Sequence, residues 1–423
     1  MEQMEHMKYW STETNPEAGA RFAYIRAMLP NGSNGKADTE AFLNSPFGAV
    51  YTEAVRTRVA LEKDPFGPAF LAYFESVGLK AELHDAQDYF TRWATYTPLE
   101  AYTGAGRGKR YPLVIYNMPL LQDVTQFEFQ MRLEQEAGRD KFIIANFQNT
   151  NWENVSAMID RLIDTMPVDR ERVYITGFSY GGYQATAAVL RVPWKFAAFA
   201  PCGNDIWREW DNWRVSYTQD EIETLRHVLV PFVQIVGEFE ASNFVPLNDW
   251  HARSHDQPRI RPEGEAGPVN PDYDPRREPC VCPQRRDADG RIINTPVSMM
   301  PHPEEGEDPH LYALRHLNLR LRTLGCQERD IRRCLSYLDT PEDEFHHVLG
   351  FYADREQITE VLGHKHYIAD LYNAEGLNTF RFVVWANGFH SVPVSMGSLI
   401  WDFFKQFRRD SATGKVVCDV YQG

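Results

Sequence analysis

The chain has 423 residues, of which 43% are hydrophobic and 13% aromatic, and it carries a formal net charge of −15. That length exceeds one small domain but suits a single large α/β domain with insertions. The acidic balance argues against nucleic acid or anionic membrane as the main partner, and its expected role is solubility. The opening residues, Met1 to Trp10, hold no basic region followed by an apolar core, which predicts no signal peptide. No run of about 18 apolar residues predicts a membrane span. A cytoplasmic protein with reduced thiols is therefore expected.

In chain order, residues 1–78 show helical patterns at Glu17 to Leu29, Thr39 to Leu43 and Val50 to Leu61. This stretch is read as an accessory helical segment with no chemistry of its own, one that covers a cleft, mediates a homo-oligomer contact or simply packs on the core. From Leu79 the pattern changes. Lys80 to Leu83 and Asp88 to Tyr96 read as an antiparallel strand pair. Apolar strands then alternate with helices: strand Tyr111 to Tyr116, helix Phe127 to Ala137, strand Phe142 to Ala145, helix Trp152 to Thr165. Strands at Val173 to Thr176, Phe196 to Ala200 and Phe232 to Val236 follow. Short, continuously apolar strands separated by helices imply a parallel sheet covered on both faces.

Regularity is lost between His251 and Thr340, where Arg253 to Pro309 is rich in Pro, Gly and charge. Such a stretch is an insertion, a lid or a surface excursion. His310 to Leu324 reads as a helix, and Thr340-Pro-Glu-Asp343 as a helix start capped by Thr340. Two further helices are expected, one ending at Leu362 and one from His366 to Ala374. The sheet resumes at Thr379 to Trp385, and a helix from Gly397 to Phe407 closes the core. The expected division is 1–78 (accessory), 79–250 (core), 251–375 (insertion) and 376–423 (core).

The chemistry centres on Gly177-Phe-Ser179-Tyr-Gly181, set between the strand Val173 to Thr176 and the helical run Gln184 to Leu190. A serine on a sharp strand-to-helix turn is a nucleophile elbow. Glycines flank it where a side chain would collide with helix or neighbouring strand, and the helix N-terminus favours a developing oxyanion. A serine hydroxyl needs a base in reach and an acid to orient that base, in the chain order serine, acid, histidine. His390, in the loop after the last strand, fits the base. The acid is expected in the loop after Val236, where Glu240 is best placed, with Glu238 and Asp249 as alternatives and Asp205 in a less usual position. Oxyanion donors are expected from the backbone of Tyr180 and, after Tyr116, from Met118 or Asn117.

Other polar residues carry less. His346, His347, His364 and His366 read as surface residues of helices or loops in the insertion, and His364 with His366 would need distant residues to complete a metal site. Cys280-Val-Cys282 lacks zinc-knuckle spacing, so no metal is expected. A Cys326–Cys334 disulfide is conditional on an oxidising compartment. Trp207, Trp210, Trp213 and Tyr217 either wall a substrate pocket or pack beneath the insertion.

At these residues the chain resembles the α/β-hydrolase superfamily, and within it esterases related to polyhydroxybutyrate depolymerases and feruloyl esterases. The likeness lies in Val168 to Gly182, in Asn387-Gly-Phe-His390, and in Ile400 to Phe404. It implies a mostly parallel central sheet with helices on both faces and a large insertion between the acid loop and the histidine loop. It also implies an esterase with triad Ser179, Glu240 and His390, acting without a cofactor on a small-molecule or oligomeric ester. Two positions depart from the family: Asn117-Met118 replaces its usual His-Gly, and Glu240 its usual aspartate. Ser179-Tyr-Gly-Gly-Tyr183 is also similar to the elbow of prolyl-oligopeptidase-type peptidases, whose propeller domain would not fit in the first 78 residues. A non-catalytic binding protein on the same fold is the third reading.

Overall fold

The computed structural model describes residues 63–84, 92–118, 129–147, 152–203, 218–237, 309–337, 342–362, 364–386 and 392–423, with a few single positions between them. Helix α1 (Pro68–Ser76) leads into strands β1 (Leu79–His84) and β2 (Trp93–Pro98). There follow β3 (Tyr111–Asn117), α2 (Leu133–Asp140), β4 (Ile143–Phe147), α3 (Trp152–Thr165), β5 (Val168–Phe178) and α4 (Tyr180–Arg191). Next come β6 (Ala198–Cys202), α5 (Gln219–His227) and β7 (Phe232–Gly237). The later elements are α6 (Pro309–Thr323), α7 (Ile331–Ser336), α8 (Glu344–Leu349), β8 (Arg355–Val361), β9 (His364–Tyr372), β10 (Asn378–Trp385) and α9 (Met396–Phe404). A small hairpin, β11 (Phe407–Arg409) with β12 (Val416–Cys418), ends the chain.

Ten strands form one sheet in the order β1-β2-β4-β3-β5-β6-β7-β10-β9-β8. The middle, from β4 to β10, is parallel, and antiparallel strands flank it at both edges. Side chains alternate between faces with period two. On β3, Leu113 and Ile115 join a core with α3, α4, α5 and α6. Val114 and Tyr116 join the opposite core, with α1, α2 and α9. Because both faces are covered, the strand is buried throughout and apolar from Tyr111 to Tyr116, which is why it was readable as a continuous run. Losing one such side chain, for example Ile115→Ala, costs about 2–5 kcal/mol.

The expected strands and helices of residues 111–237 are present, with ends moved by a few residues. The largest difference falls at 355–372, where two helices were expected. Here β8 and β9 form a hairpin that pairs with β10 and extends the sheet. Tyr367, Ile368, Ala369 and Leu371 bury against β10 and its neighbours, and Leu362 takes φ 53° at the hairpin turn. Pairing with β10 outweighs the weak helical pattern. The described part of the insertion is thus continuous with the core. On α6, Leu314, Leu317 and Leu321 fill the same cluster as β3 and β5. Arg320 donates to Gln234 on β7 at 3.0 Å. The helix expected at Thr340 starts later, at Glu344, and Asp343 caps it by accepting from His346 N. At the other end, α1 seats Phe70 and Phe74 in the core. Helices expected at Glu17 to Leu29 and Thr39 to Leu43 lie outside the described residues. No helix among the described residues is long and apolar enough to cross a membrane.

Candidate active site

Strand β5 lies in the middle of the sheet, between β3 and β6, and its last residues are buried on both faces. Thr176 Oγ1 donates to Ala200 O at 3.0 Å, tying β5 to β6 near the end of both strands. The chain must then reverse from strand into α4 within one residue. That residue is Ser179, at φ 54° and ψ −117°. A positive φ at a residue with a Cβ costs about 1–3 kcal/mol and persists only where its surroundings enforce it. Here Ser179 N donates to Cys202 O at 3.0 Å, and Tyr183 N donates to Ser179 O at 3.2 Å. One bond holds the turn to the end of β6 and the other starts the helix.

The flanking glycines are required by space. A Cβ on Gly177 would lie 2.4 Å from Gly181 C, and one on Gly181 would lie 2.1 Å from Asn117 O. Both contacts are with backbone, which has no flexible tip to move aside. The strained serine on this strand order decides the fold. It is the α/β-hydrolase fold.

At this turn Phe178, Gly181 and Gly182 are buried, whereas Ser179 and Tyr180 are half-buried. The serine therefore sits where the sheet meets the surface, at the N-terminus of a 12-residue helix. The first N–H groups of a helix have no partner within it and carry partial positive charge. The second expected donor segment is close by. Asn117 stands opposite Gly177 in the β3–β5 register. The same imagined Gly181 Cβ would also lie 2.9 Å from Met118 O, so Asn117 and Met118 run against the first turn of α4. The Asn117 amide is fully buried, with neither Oδ1 nor Nδ2 hydrogen-bonded.

The structure thus brings Ser179, Tyr180 and Met118 together. His390, Glu240, the alternatives Glu238, Asp249 and Asp205, and the aromatic residues Trp207, Trp210, Trp213 and Tyr217 lie outside the described residues. The strands that lead to the acid and histidine loops are described. β7 ends at Gly237 and β10 at Trp385, side by side and parallel, with these two residues paired.

Two histidines read as surface residues are not. His364 and His366 share one face of β9 and are 3% and 0% exposed, because they lie on a strand packed inside the sheet. Burial pushes the imidazole of His366 down to about 4 and that of His364 to about 2, so both are neutral. Their rings are 5.2 Å apart, and no cluster able to hold a metal occurs among the described residues. His346, by contrast, bridges Asp343 at 2.7 Å and Glu356 at 3.0 Å. Cys326 and Cys334 are buried thiols and are not joined to each other. Cys326 Sγ lies 3.0 Å from Thr379 Oγ1. Cys280 and Cys282 lie outside the described residues.

A model of the prolyl oligopeptidase family matches residues 143–225, which span β4 to α5 and contain the elbow. The bifunctional acetylxylan esterase/xylanase of Neocallimastix patriciarum is 38% identical over 65 residues, 15% of this chain. The chain spans only 9% of that relative's length. Among solved structures, the S-formylglutathione hydrolase of Staphylococcus aureus is 13% identical, with TM-score 0.31, over 38% of this chain and 79% of that one. A feruloyl esterase module from Clostridium thermocellum is 13% identical, with TM-score 0.31, over 39% and 69% of the two chains. It is the strand order and the elbow of this chain that carry the reading of its fold.

Proposed function

We propose that this protein is a serine hydrolase that cleaves carboxylic esters through an acyl-enzyme on Ser179. The observation that carries the reading is the strained Ser179 at the head of α4, in the middle of the sheet. In the proposed reaction Ser179 Oγ attacks the ester carbonyl, and His390 takes the hydroxyl proton and passes it to the leaving alcohol. Glu240 orients the imidazole, and the N–H groups of Tyr180 and Met118 hold the oxyanion. Water, activated by His390, then releases the acid. Every step is proton transfer and acyl transfer, which these side chains supply without a cofactor. The substrate is a small-molecule or oligomeric ester, the class on which the esterases named above act. The same reading divides the chain into an N-terminal accessory segment (1–78), a core (79–250 and 376–423) and an insertion between, with β8 and β9 counted with the core. We place the enzyme in the cytoplasm, where its buried thiols stay reduced.

A second reading has its own support. The prolyl oligopeptidase match over the elbow favours a peptidase that uses the same serine. The test is labelling with a fluorophosphonate, followed by turnover of short nitrophenyl esters, feruloyl esters and peptide anilides. Wild type should label, Ser179→Ala should not, and esters should be cleaved faster than anilides. Faster anilide cleavage would make it a peptidase, and a folded wild type that does not label would make it a binding protein.

A further inference from the structure

The loop between β10 and α9 carries His390, and its two ends are described. β10 ends at Trp385, whose antiparallel partner in register is His366 on β9. One residue on, Ala386 N donates to Lys365 O at 2.9 Å. The far end of the loop is Ser395, the residue before α9. Ser395 Oγ lies 2.9 Å from His366 Nε2, and both residues are fully buried. The His364 ring packs against Trp385 at 4.8 Å and completes the floor of this corner.

The serine makes this bond at a local cost. A serine at the head of a helix ordinarily accepts from a backbone N–H of the first turn. Ser395 makes no such cap. Its hydroxyl is turned to the histidine, and α9 begins instead with Met396 N donating to Pro393 O at 3.0 Å. A neutral imidazole suits this use. One nitrogen carries hydrogen and the other does not, so the bond forms in either tautomer without a buried charge.

We propose that His366 is a positioning residue: through Ser395 it fastens the far end of the histidine loop to the strand that holds its near end, and so fixes the base against Ser179. The inference rests on the reading of His390 as that base. Fixing both ends of a loop against one rigid strand removes conformers in which the side chain is misplaced, and a displacement of about 1 Å at a reacting group costs about a hundredfold in rate.

The test uses the full chain. Hydrogen exchange of the segment 386–394, thermal stability, and kcat and KM on a nitrophenyl ester are measured for Ser395→Ala, His366→Gln, His366→Leu and His390→Ala. Ser395→Ala should speed exchange in the segment about tenfold and lower kcat about 10- to 100-fold, with KM changed by no more than about twofold. His366→Gln, whose amide reaches the same hydroxyl, should restore both readouts to within about threefold of wild type, whereas His366→Leu should not. The inference is overturned if Ser395→Ala exchanges and turns over as wild type, if its lost turnover only tracks lost folded protein, or if His366→Gln is as impaired as His366→Leu. An inactive His390→Ala beside an unimpaired Ser395→Ala overturns the positioning role alone. An active His390→Ala overturns the assignment of the base, and the positioning role with it.

Discussion

Replacing Gly181 by alanine tests the elbow at its tightest point. On helix propensity alone the change is favourable by about 1 kcal/mol, since Gly181 lies in the first turn of α4 and glycine is a poor helix former. Packing opposes it. The new methyl would lie 2.1 Å from Asn117 O, 2.8 Å from Asn117 C and 2.9 Å from Met118 O, where ordinary contact begins at 3.4 Å. Relieving the closest contact requires a shift of about 1.3 Å, the difference between 3.4 and 2.1 Å, and all three obstructing atoms are backbone. That shift opens the gap between α4 and the Asn117–Met118 segment, the two sources of the proposed oxyanion donors. A displacement of this size at a reacting centre is worth about a hundredfold or more. The variant should therefore keep its helical circular dichroism and lose about that factor in kcat/KM on a nitrophenyl ester. Gly104→Ala is the control, because a Cβ there meets nothing within 4 Å. If Gly181→Ala hydrolyses ester within about threefold of wild type, the oxyanion is not held between these two segments.

Two further predictions concern the core. Glu134 is fully buried on α2, where it accepts from Tyr73 OH at 2.8 Å, and burial drives its carboxyl up to about 7. A carboxyl raised in the folded state holds its proton longer there than when unfolded, so stability falls as pH rises from about 4.5 to about 7. The gap of roughly 2.5 units corresponds to about 3 kcal/mol. The stability of Glu134→Gln relative to wild type should improve by that amount between pH 4 and pH 8 in urea denaturation. A difference that does not change with pH would rule the account out. On the antiparallel edge, Asp370 accepts from Arg381 Nε at 2.6 Å and Nη2 at 3.0 Å, and from Asn378 Nδ2 at 2.8 Å. Asp370→Ala leaves the guanidinium without its partner and should cost about 3–5 kcal/mol in guanidinium denaturation, whereas Asp370→Leu with Arg381→Met should recover most of it. Equal losses in both variants would show that the uncompensated charge is not the cause.

What was legible in the sequence followed from burial on both faces. Strands such as Tyr111–Asn117 and Phe232–Gly237 are buried at every position because helices cover each side, and their mostly apolar runs need no tertiary information to be seen. The elbow was legible because its glycines answer to a steric demand that few other residues meet. β8 was not. Arg355-Glu-Gln-Ile-Thr-Glu-Val361 is an edge strand, largely exposed, and its charges carry neither the period of a buried strand nor an apolar run. Without β8, β9 also lost its context: His364 fell between two expected helices and His366 at the start of the second, and both were read as surface residues. On the strand, residues two apart share one face, and both rings turn inward toward Trp385 and Ser395.

The helix starts connect the elbow with the histidine loop. Among the described α-helices, Thr218, Asp330 and Asp343 cap α5, α7 and α8 with their side chains, as residues of these types do. Ser179 and Ser395 stand in the same position at the head of α4 and α9, and neither caps. Each helix forgoes about 1 kcal/mol that a serine at its head ordinarily supplies. At Ser179 the positive φ carries the hydroxyl away from the first turn of α4, and the proposed reaction needs that result. The oxygen makes no cap on the first turn of α4, where the proposed oxyanion donors lie. At Ser395 the hydroxyl is committed to His366. Local rules that hold elsewhere in the chain fail at these two serines, and both lie on segments that serve the proposed triad. A site built at the expense of local stability has this pattern, and the proposed triad draws on both segments.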